Sequence, residues 1–208
     1  MEILYIESEL KNLKLNLNKQ EIAKLPKKLI LCYTVQYKVI AEELKKQLKH
    51  NNIQILGFYQ VLGCSKISNK SNLPILYIGT GQFHAYNLYL QAPEFYILDI
   101  YNNTINKIPI SEIEKLKSRK RTALLKFLSA NNIGILVSTK PGQENIKQAI
   151  KLKQELENKG KQAFIFISNN IDTNQFENFT IDSWVNTACP GLSLDNLNII
   201  NISDIIKL

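Results

Sequence analysis

Short apolar runs alternate with helical patterns along this chain, and this alternation constrains its fold more than any other feature. Runs of strand length predict strands at Leu29–Tyr33, Ile53–Phe58, Ile75–Ile78, Phe95–Ile100, Ile133–Val137, Ala163–Ile167, Trp184–Thr187 and Ile199–Ile202. Apolar residues at helical spacing predict helices over Val39–Lys49, Glu112–Leu128 and Glu144–Lys159, the last ending before Gly160. Strands that alternate with helices favour an α/β fold with mainly parallel sheets.

A tight hairpin is the predicted exception to parallel pairing. Asn102-Asn103 separates the strand-like segments Leu98–Tyr101 and Thr104–Ile108. Asparagine tolerates positive φ angles, so this dipeptide favours a short turn between antiparallel strands.

The two halves of the chain resemble each other. The segment Leu29–Gln36 is similar to Ile133–Lys140, and each is followed by a helix, a strand and later a cysteine. We therefore predict two Rossmann-like units related by a weak internal repeat: residues 1–111, which carry Cys64, and residues 112–208, which carry Cys189.

The chain has a net charge of +8, which raises the question of nucleic-acid contact. Its lysines are widely spread, however, and they accompany many Asn and Ile residues. The densest basic run lies within Glu114–Arg121 and fits either a solvated helix face or a contact with an anion or partner. We expect no direct role with nucleic acid.

Localisation follows from what the sequence lacks. No apolar stretch approaches the roughly 20 residues that span a bilayer, and the N-terminal residues lack the layout of a signal peptide. Three cysteines, an odd number, argue against a disulfide framework. The sequence therefore predicts a cytoplasmic protein without a membrane partner.

Two of the cysteines are candidate metal ligands. Cys64 and Cys189 follow apolar runs and lie 125 residues apart, unlike the compact spacing of a zinc ribbon or a redox CxxC motif. This pattern indicates two loops that the fold brings together, and two thiolates alone would need a third ligand. Cys32 instead lies within a strand-like run, where cysteine acts as a small apolar residue.

Two polar loops follow predicted strands in equivalent positions. Gly79–His84 reads GTGQFH, which fits either a tight turn or a backbone that holds an anion, but it lacks the third glycine of a dinucleotide fingerprint. Ser138–Gln143 reads STKPGQ, which fits either a helix-capping turn or a site for carboxylate or phosphate. Asp99 could orient a ligand or cap the hairpin, and a lone histidine such as His84 is more often structural.

Taken together, these motifs resemble the diphthamide synthase family, the 2-(3-amino-3-carboxypropyl)histidine synthases of archaea and eukaryotes. The matching segments are Thr34-Val35-Gln36, Gln60–Cys64, Ile78–His84, Leu98-Asp99, Arg119-Lys120-Arg121, Ser138–Gln143 and Ala188-Cys189-Pro190. The resemblance implies three similar α/β domains, each giving one cysteine to a single 4Fe–4S cluster. It also implies that the cluster cleaves S-adenosylmethionine to a 3-amino-3-carboxypropyl radical, which adds to a histidine of translation elongation factor 2.

Site residues carried over from this resemblance fall into two groups. Cys64 and Cys189 would be cluster ligands, leaving one iron open for the methionine part of S-adenosylmethionine. The loops that line the S-adenosylmethionine pocket would contribute Gly79, Thr80, Gly81, His84, Ser138, Thr139, Lys140 and Gln143.

The chain also departs from the family pattern. The first domain and its cysteine have no match here, and Gly191 stands where members often have arginine after Ala-Cys-Pro. We therefore expect a split enzyme that needs a separately encoded first-domain chain and a reductant protein. One alternative is a non-catalytic scaffold or electron-transfer paralogue in a synthase complex. Another is a basic RNA-binding module, whose binding would depend steeply on salt.

Overall fold

The chain folds into two compact units in a computed structural model. The structure describes residues 8, 10, 15–80, 82–176, 178–194 and 198–205, without the side chains of residues 82–84, 173 and 174. The units are Met1–Glu114 and Lys115–Leu208, so their boundary lies a few residues beyond Ser111. The assignment of these units to particular domains of a larger family remains a prediction.

The first unit is built on a five-stranded sheet. Its elements are α1 (Lys19–Ala23), β1 (Lys28–Tyr33), α2 (Lys38–His50), β2 (Gln54–Gln60), β3 (Ile75–Ile78), α3 (Gln82–Tyr89), β4 (Phe95–Asp99) and β5 (Thr104–Lys107). The strand order is β2-β1-β3-β4-β5. The first four strands are parallel and β5 is antiparallel to β4.

Burial of the central strands explains their composition. β1 and β3 have neighbours on both sides, and from Leu29 to Tyr33 and from Ile75 to Ile78 every residue is buried. A strand covered on both faces reads as a continuous apolar run, as these do. Helix α2 packs against this sheet through Ile40, Ala41, Leu44 and Leu48, which recur at helical spacing.

The predicted hairpin between β4 and β5 is confirmed. Asn103 adopts a φ of 50° in the turn, where asparagine is favoured. Asp99 closes the turn, because its carboxylate accepts hydrogen bonds from the backbone N–H groups of Tyr101 and Asn102 and from the Asn102 side chain. These bonds lower the pKa of Asp99 and show that it caps the hairpin.

The second unit is built on a four-stranded parallel sheet. Its elements are β6 (Asn132–Ser138), α5 (Ile146–Asn158), β7 (Gln162–Ser168), β8 (Ser183–Asn186), β9 (Ile199–Asn201) and α6 (Ile202–Ile205). The strand order is β7-β6-β8-β9, with every pair parallel. Helix α4 (Ile110–Ser129) runs across the boundary between the units and carries the basic run on its exposed side. Lys120 of that run pairs with Asp204 at 3.2 Å.

The core of the second unit lies around β6. Ile133, Ile135 and Val137 face one side with Ala149 of α5. On the opposite side Trp184 packs with Leu136 and Ile199. Gly134 pairs in register with Trp184, and a Cβ at Gly134 would lie 2.3 Å from the Trp184 ring. Glycine is therefore required here by the close approach of the indole.

The mainly parallel α/β fold predicted from the sequence is confirmed, with small shifts in the element ends. Both sheets place the first strand of the unit between the second and the third, although the internal repeat remains a prediction. The sequence pattern missed α1, α3 and the short α6. Helix α3 lacks a clear amphipathic spacing and is instead held by tertiary packing of Ala85, Leu88 and Tyr89, the last at 4.5 Å between ring centroids from Phe95. No helix among the described residues is long and apolar enough to cross a membrane.

Candidate metal centre and strand-end loops

Parallel pairing places the candidate residues of the first unit at one edge of its sheet. The carboxyl ends of β2, β1 and β3 are neighbours, and the backbone N–H groups of Val61 and Thr34 continue the pairing beyond them, donating to Tyr33 and Ile78. The Cys64 loop follows β2 and Gly79-Thr80 follow β3. Both predicted motifs therefore belong to the edge where ligands of α/β proteins usually bind.

The Cys64 loop is a short turn with an accessible thiol. The Leu62 N–H donates to the Ser65 hydroxyl at 2.8 Å, and the Ser65 N–H donates to the Leu62 carbonyl at 3.0 Å. The Ser65 carbonyl accepts bonds from the side chains of Asn87 and Gln91, at 3.2 and 3.1 Å. These bonds tie the loop to α3 and its C-terminal end, while Cys64 itself is exposed and not disulfide-bonded.

Gly79 is fixed by the tyrosine beneath it. Tyr77 and Gly79 lie on the same face of the strand and its extension, because side chains alternate along a strand. A Cβ at Gly79 would lie only 2.1 Å from the Tyr77 hydroxyl oxygen. That hydroxyl is buried and has no hydrogen-bond partner among the described residues. Glycine is thus needed at this position for a packing reason, in addition to any approach by a ligand.

A cavity of about 320 Å³ opens beside Gly79 and Thr80. Its lining comes from the residues after β3, from β4 and the hairpin to β5, and from the residue before α2. These residues are Tyr37, Gly79, Thr80, Ile97, Leu98, Asp99, Ile100, Tyr101 and Asn106. The buried Tyr37 side chain hydrogen-bonds with those of Thr80 and Tyr101, and burial raises the pKa of Tyr37. Gly81 and the side chain of His84 lie outside the described residues, so this part of the predicted site remains a prediction.

A larger cavity, of about 500 Å³, lies elsewhere in the first unit. It is lined by Lys45, Lys49 and Asn52–Leu56, which surround the beginning of β2. The beginning of a parallel strand faces the opposite edge of the sheet from the Cys64 loop. Size alone therefore does not identify the functional cavity.

In the second unit, the predicted anion loop forms a turn after β6, the first strand of its unit. It therefore corresponds to the residues after β1, and the predicted equivalence with Gly79–His84, which follow β3, is wrong. Ser138 is buried, accepts a bond from the Lys140 N–H at 3.1 Å and donates to the Asn169 carbonyl at 3.3 Å. Pro141 and Gly142, with φ of 77° at Gly142, complete a turn closed by the Gln143 N–H and the Lys140 carbonyl at 3.0 Å. Thr139 and Lys140 are exposed, so the turn presents a hydroxyl and a cation to solvent.

The Cys189 loop is held by side-chain amides. Asn186, at the end of β8, donates to the Cys189 carbonyl at 2.8 Å and accepts from the Ala188 N–H at 2.9 Å. Asn201, the register partner of Asn186 on β9, donates to the Pro190 carbonyl at 3.2 Å. Cys189 is partly exposed and not disulfide-bonded.

The third cysteine is chemically different. Cys32 has no exposed surface and lies in the middle of β1. Burial raises the pKa of the Cys32 thiol to about 12, because a thiolate would be poorly solvated there. The structure thus agrees with the interpretation of Cys32 as a core residue. Within the described part of the chain, no group of three or more His, Cys, Asp or Glu residues is arranged as a metal site.

The chain has two α/β units with mainly parallel sheets, and each unit has an accessible thiol in a loop at the carboxyl edge of its sheet. These features define a class of proteins with cysteine-bearing Rossmann-like domains. Within that class, the chain belongs to the family described as "Putative diphthamide synthesis protein", whose sequence model matches residues 1–199.

Relatives of this chain include named enzymes. The 2-(3-amino-3-carboxypropyl)histidine synthase of Pyrococcus horikoshii is 27% identical over 187 residues, which cover 85% of this chain and 54% of that protein. Subunit 1 of the same synthase from Yarrowia lipolytica is 29% identical over 175 residues, covering 78% of this chain and 40% of that protein. The chain thus spans about half the length, or less, of these relatives.

Solved structures of Dph2 from Pyrococcus horikoshii have the same fold. One superposes with a TM-score of 0.77 at 25% sequence identity and covers 90% of this chain and 59% of Dph2. A second, solved with a 4Fe–4S cluster, gives a TM-score of 0.76 at 25% identity, covering 89% of this chain and 58% of Dph2.

Several residues of the site were not found from the sequence. They are Tyr37, which contacts Thr80, and the amides Asn87, Gln91, Asn145, Asn186 and Asn201 around the cysteine loops. One signal was available in Ser183–Asn186, where a polar residue ends a strand whose other members include Trp184 and Val185. The remaining amides could be found only from the strand register and the packing of α3.

We predict that the three cysteines differ in their reaction with iodoacetamide. At about pH 8 the native chain should be alkylated at Cys64 and Cys189 but not at Cys32, because alkylation needs an accessible thiolate and burial keeps Cys32 protonated. Denatured chain should react at all three. Peptide mass spectrometry measures this, and native labelling of Cys32 at the rate of Cys64 would contradict the assignment.

We predict that Gly79→Ala destabilises the protein, whereas Tyr77→Phe does not. Gly79→Ala should lower the free energy of unfolding by about 1–3 kcal/mol, because the new methyl group meets the Tyr77 ring. Tyr77→Phe removes a buried hydroxyl without a described partner and should leave stability unchanged or raise it by up to about 1 kcal/mol. Urea denaturation measures both, and a neutral Gly79→Ala would show that the loop shifts freely.

Proposed function

We propose that this chain is a subunit of a split diphthamide synthase. Its reaction would transfer the 3-amino-3-carboxypropyl group from S-adenosylmethionine to a histidine of translation elongation factor 2, the first step of diphthamide biosynthesis. The observation that carries this proposal is the placement of Cys64 and Cys189 in accessible loops at the carboxyl edges of two units, in a chain matched over residues 1–199 by the diphthamide synthesis family.

The two thiols suit a 4Fe–4S cluster. Iron–sulfur clusters are held by cysteine thiolates, and Cys64 and Cys189 are the accessible thiols, whereas Cys32 is buried. When bound, the cluster would supply the electron that cleaves a carbon–sulfur bond of S-adenosylmethionine. A structure of the similar Dph2 contains such a cluster, which supports the same cofactor here.

The strand-end loops would bind S-adenosylmethionine. In the first unit, Gly79, Thr80, Gly81 and His84 would face the ligand, with the cavity beside Gly79 and Thr80 taking part of it. In the second unit, exposed Lys140 and Thr139 would bind the methionine carboxylate, aided by Gln143. Ser138 would act indirectly, because its hydroxyl already bonds within the turn.

The third thiolate would come from a separately encoded first-domain chain. This chain matches about half of the Pyrococcus horikoshii synthase, and its remaining cysteine is a core residue. The active complex would also need a reductant protein, would act on elongation factor 2 in the cytoplasm, and would have no direct nucleic-acid or membrane partner.

Iron and sulfide analysis tests this function. The chain is purified anaerobically, alone and with a candidate first-domain protein from the same genome. A near-full cluster should appear only in the complex, and Cys64→Ala or Cys189→Ala should abolish it. Cys32→Ala is the matched control and should retain the cluster, because Cys32 lies in the core.

Two outcomes would contradict the proposal. A cysteine-dependent full cluster in the chain alone, without added thiol, would remove the need for a first-domain partner. No cluster in either sample would favour a scaffold role in a synthase complex.

A further inference from the structure

We propose that three asparagines, Asn145, Asn186 and Asn201, are positioning residues that fix the loop of Cys189 for metal binding. We call these three the carboxamide clamp. This inference rests on the proposed function, since it assigns Cys189 as a cluster ligand. It concerns residues of the second unit alone.

Asn186 makes the central contacts of the clamp. Its side chain is almost fully buried and bonds to both sides of Cys189: it accepts from the Ala188 N–H at 2.9 Å and donates to the Cys189 carbonyl at 2.8 Å. The same amide group donates to the Asn201 Oδ1 at 2.7 Å. One side chain thus fixes the backbone before and after the sulfur-bearing residue.

Asn201 extends the clamp to the following residues. Its Nδ2 donates to the Pro190 carbonyl at 3.2 Å and to the Ser193 hydroxyl at 2.7 Å. The Ser193 hydroxyl in turn donates to the Pro190 carbonyl at 2.9 Å. The short 3₁₀ turn Pro190–Ser193 is therefore bound to the end of β9.

Asn145 holds the segment that leads into the loop. Its Nδ2 donates to the Thr187 carbonyl at 2.6 Å, although Asn145 makes no capping bond to α5. The Thr187 hydroxyl donates to the Leu136 carbonyl on β6 at 2.8 Å. Side-chain amides thus bond the carbonyls of Thr187, Cys189 and Pro190.

The amide pair departs from the apolar pattern of the two strands that carry it. The preceding register pairs of β8 and β9, Trp184 with Ile199 and Val185 with Ile200, are apolar and form the core. Burying polar side chains costs free energy unless their hydrogen bonds are made. Apart from the bond between Asn186 and Asn201, the side-chain hydrogen bonds described for this pair go to residues 188–193. The pair is therefore explained by the loop that it holds.

The loop of Cys64 provides a contrast. Cys64 is exposed, and the side-chain bonds that hold its loop from outside meet the Ser65 carbonyl and the Ile67 N–H, both after the cysteine. The Cys189 loop is bonded before, at and after the cysteine. Residues that orient metal ligands typically change metal affinity by about 10- to 100-fold when mutated.

Hydrogen exchange and iron retention test the clamp together. In the full chain, Asn186→Ala and Asn201→Ala should speed amide exchange in peptides that cover residues 187–194 by roughly fivefold for each lost bond. Peptides around Cys64 serve as the internal reference. In the complex with the first-domain protein, both variants should lose iron to a chelator about 10- to 100-fold more readily and change the electron paramagnetic resonance spectrum of the reduced cluster.

Two further variants keep the test decisive. Asn158→Ala is the matched control, because Asn158 is exposed at the end of α5, near the opposite edge of the sheet, and should change neither readout. If Asn186→Ala does not fold, Ser193→Ala removes one contact of Asn201 near the surface and should show a smaller effect in the same direction.

The outcomes separate the clamp from the proposed function. Unchanged exchange at residues 187–194 in the folded variants would overturn the clamp. Faster exchange with wild-type iron retention and spectrum would reduce the asparagines to a structural role. A wild-type complex without any cluster would instead overturn the proposed function, before any variant is compared.

Discussion

Parallel pairing of strands around a buried central strand is the constraint on which the rest of the structure depends. In each unit the central strand, β1 or β6, pairs with a strand on each side, and nearly all of its residues are buried, which favours apolar residues on both faces. Parallel neighbours also end at the same edge of the sheet. Loops that are distant in the sequence therefore gather at one edge in each unit, as the Cys64 loop and Gly79-Thr80 do in the first.

The two edges use this common plan differently. In the first unit the edge is open, with a glycine over a buried tyrosine and a cavity bounded by Tyr37 and Thr80. In the second unit the edge is closed around Cys189 by hydrogen-bonded amides. The physical difference is between a glycine packed over a buried tyrosine beside a cavity and a loop whose backbone is fixed by side-chain amides.

The sequence predicted those parts of the molecule that depend on local pattern. Apolar runs such as Ile75–Ile78 identified buried strands, and Asn102-Asn103 identified the hairpin through the φ preference of asparagine. Helix α3 was missed because its stability comes from contacts such as Tyr89 with Phe95 and not from its own spacing. The pairing of Asn186 with Asn201 was equally hidden, since it requires the register of two strands whose residues lie 15 positions apart.

The three cysteines show how environment separates identical side chains. Cys32 is buried, whereas Cys64 and Cys189 are accessible in loops. The units that carry these two loops have separate hydrophobic cores. If these thiols bind the proposed cluster, its binding free energy would contribute to the stability of the assembled protein. Because side-chain amides already fix the backbone around Cys189, binding of the cluster would have to order less of that loop than of the loop that carries the more exposed Cys64.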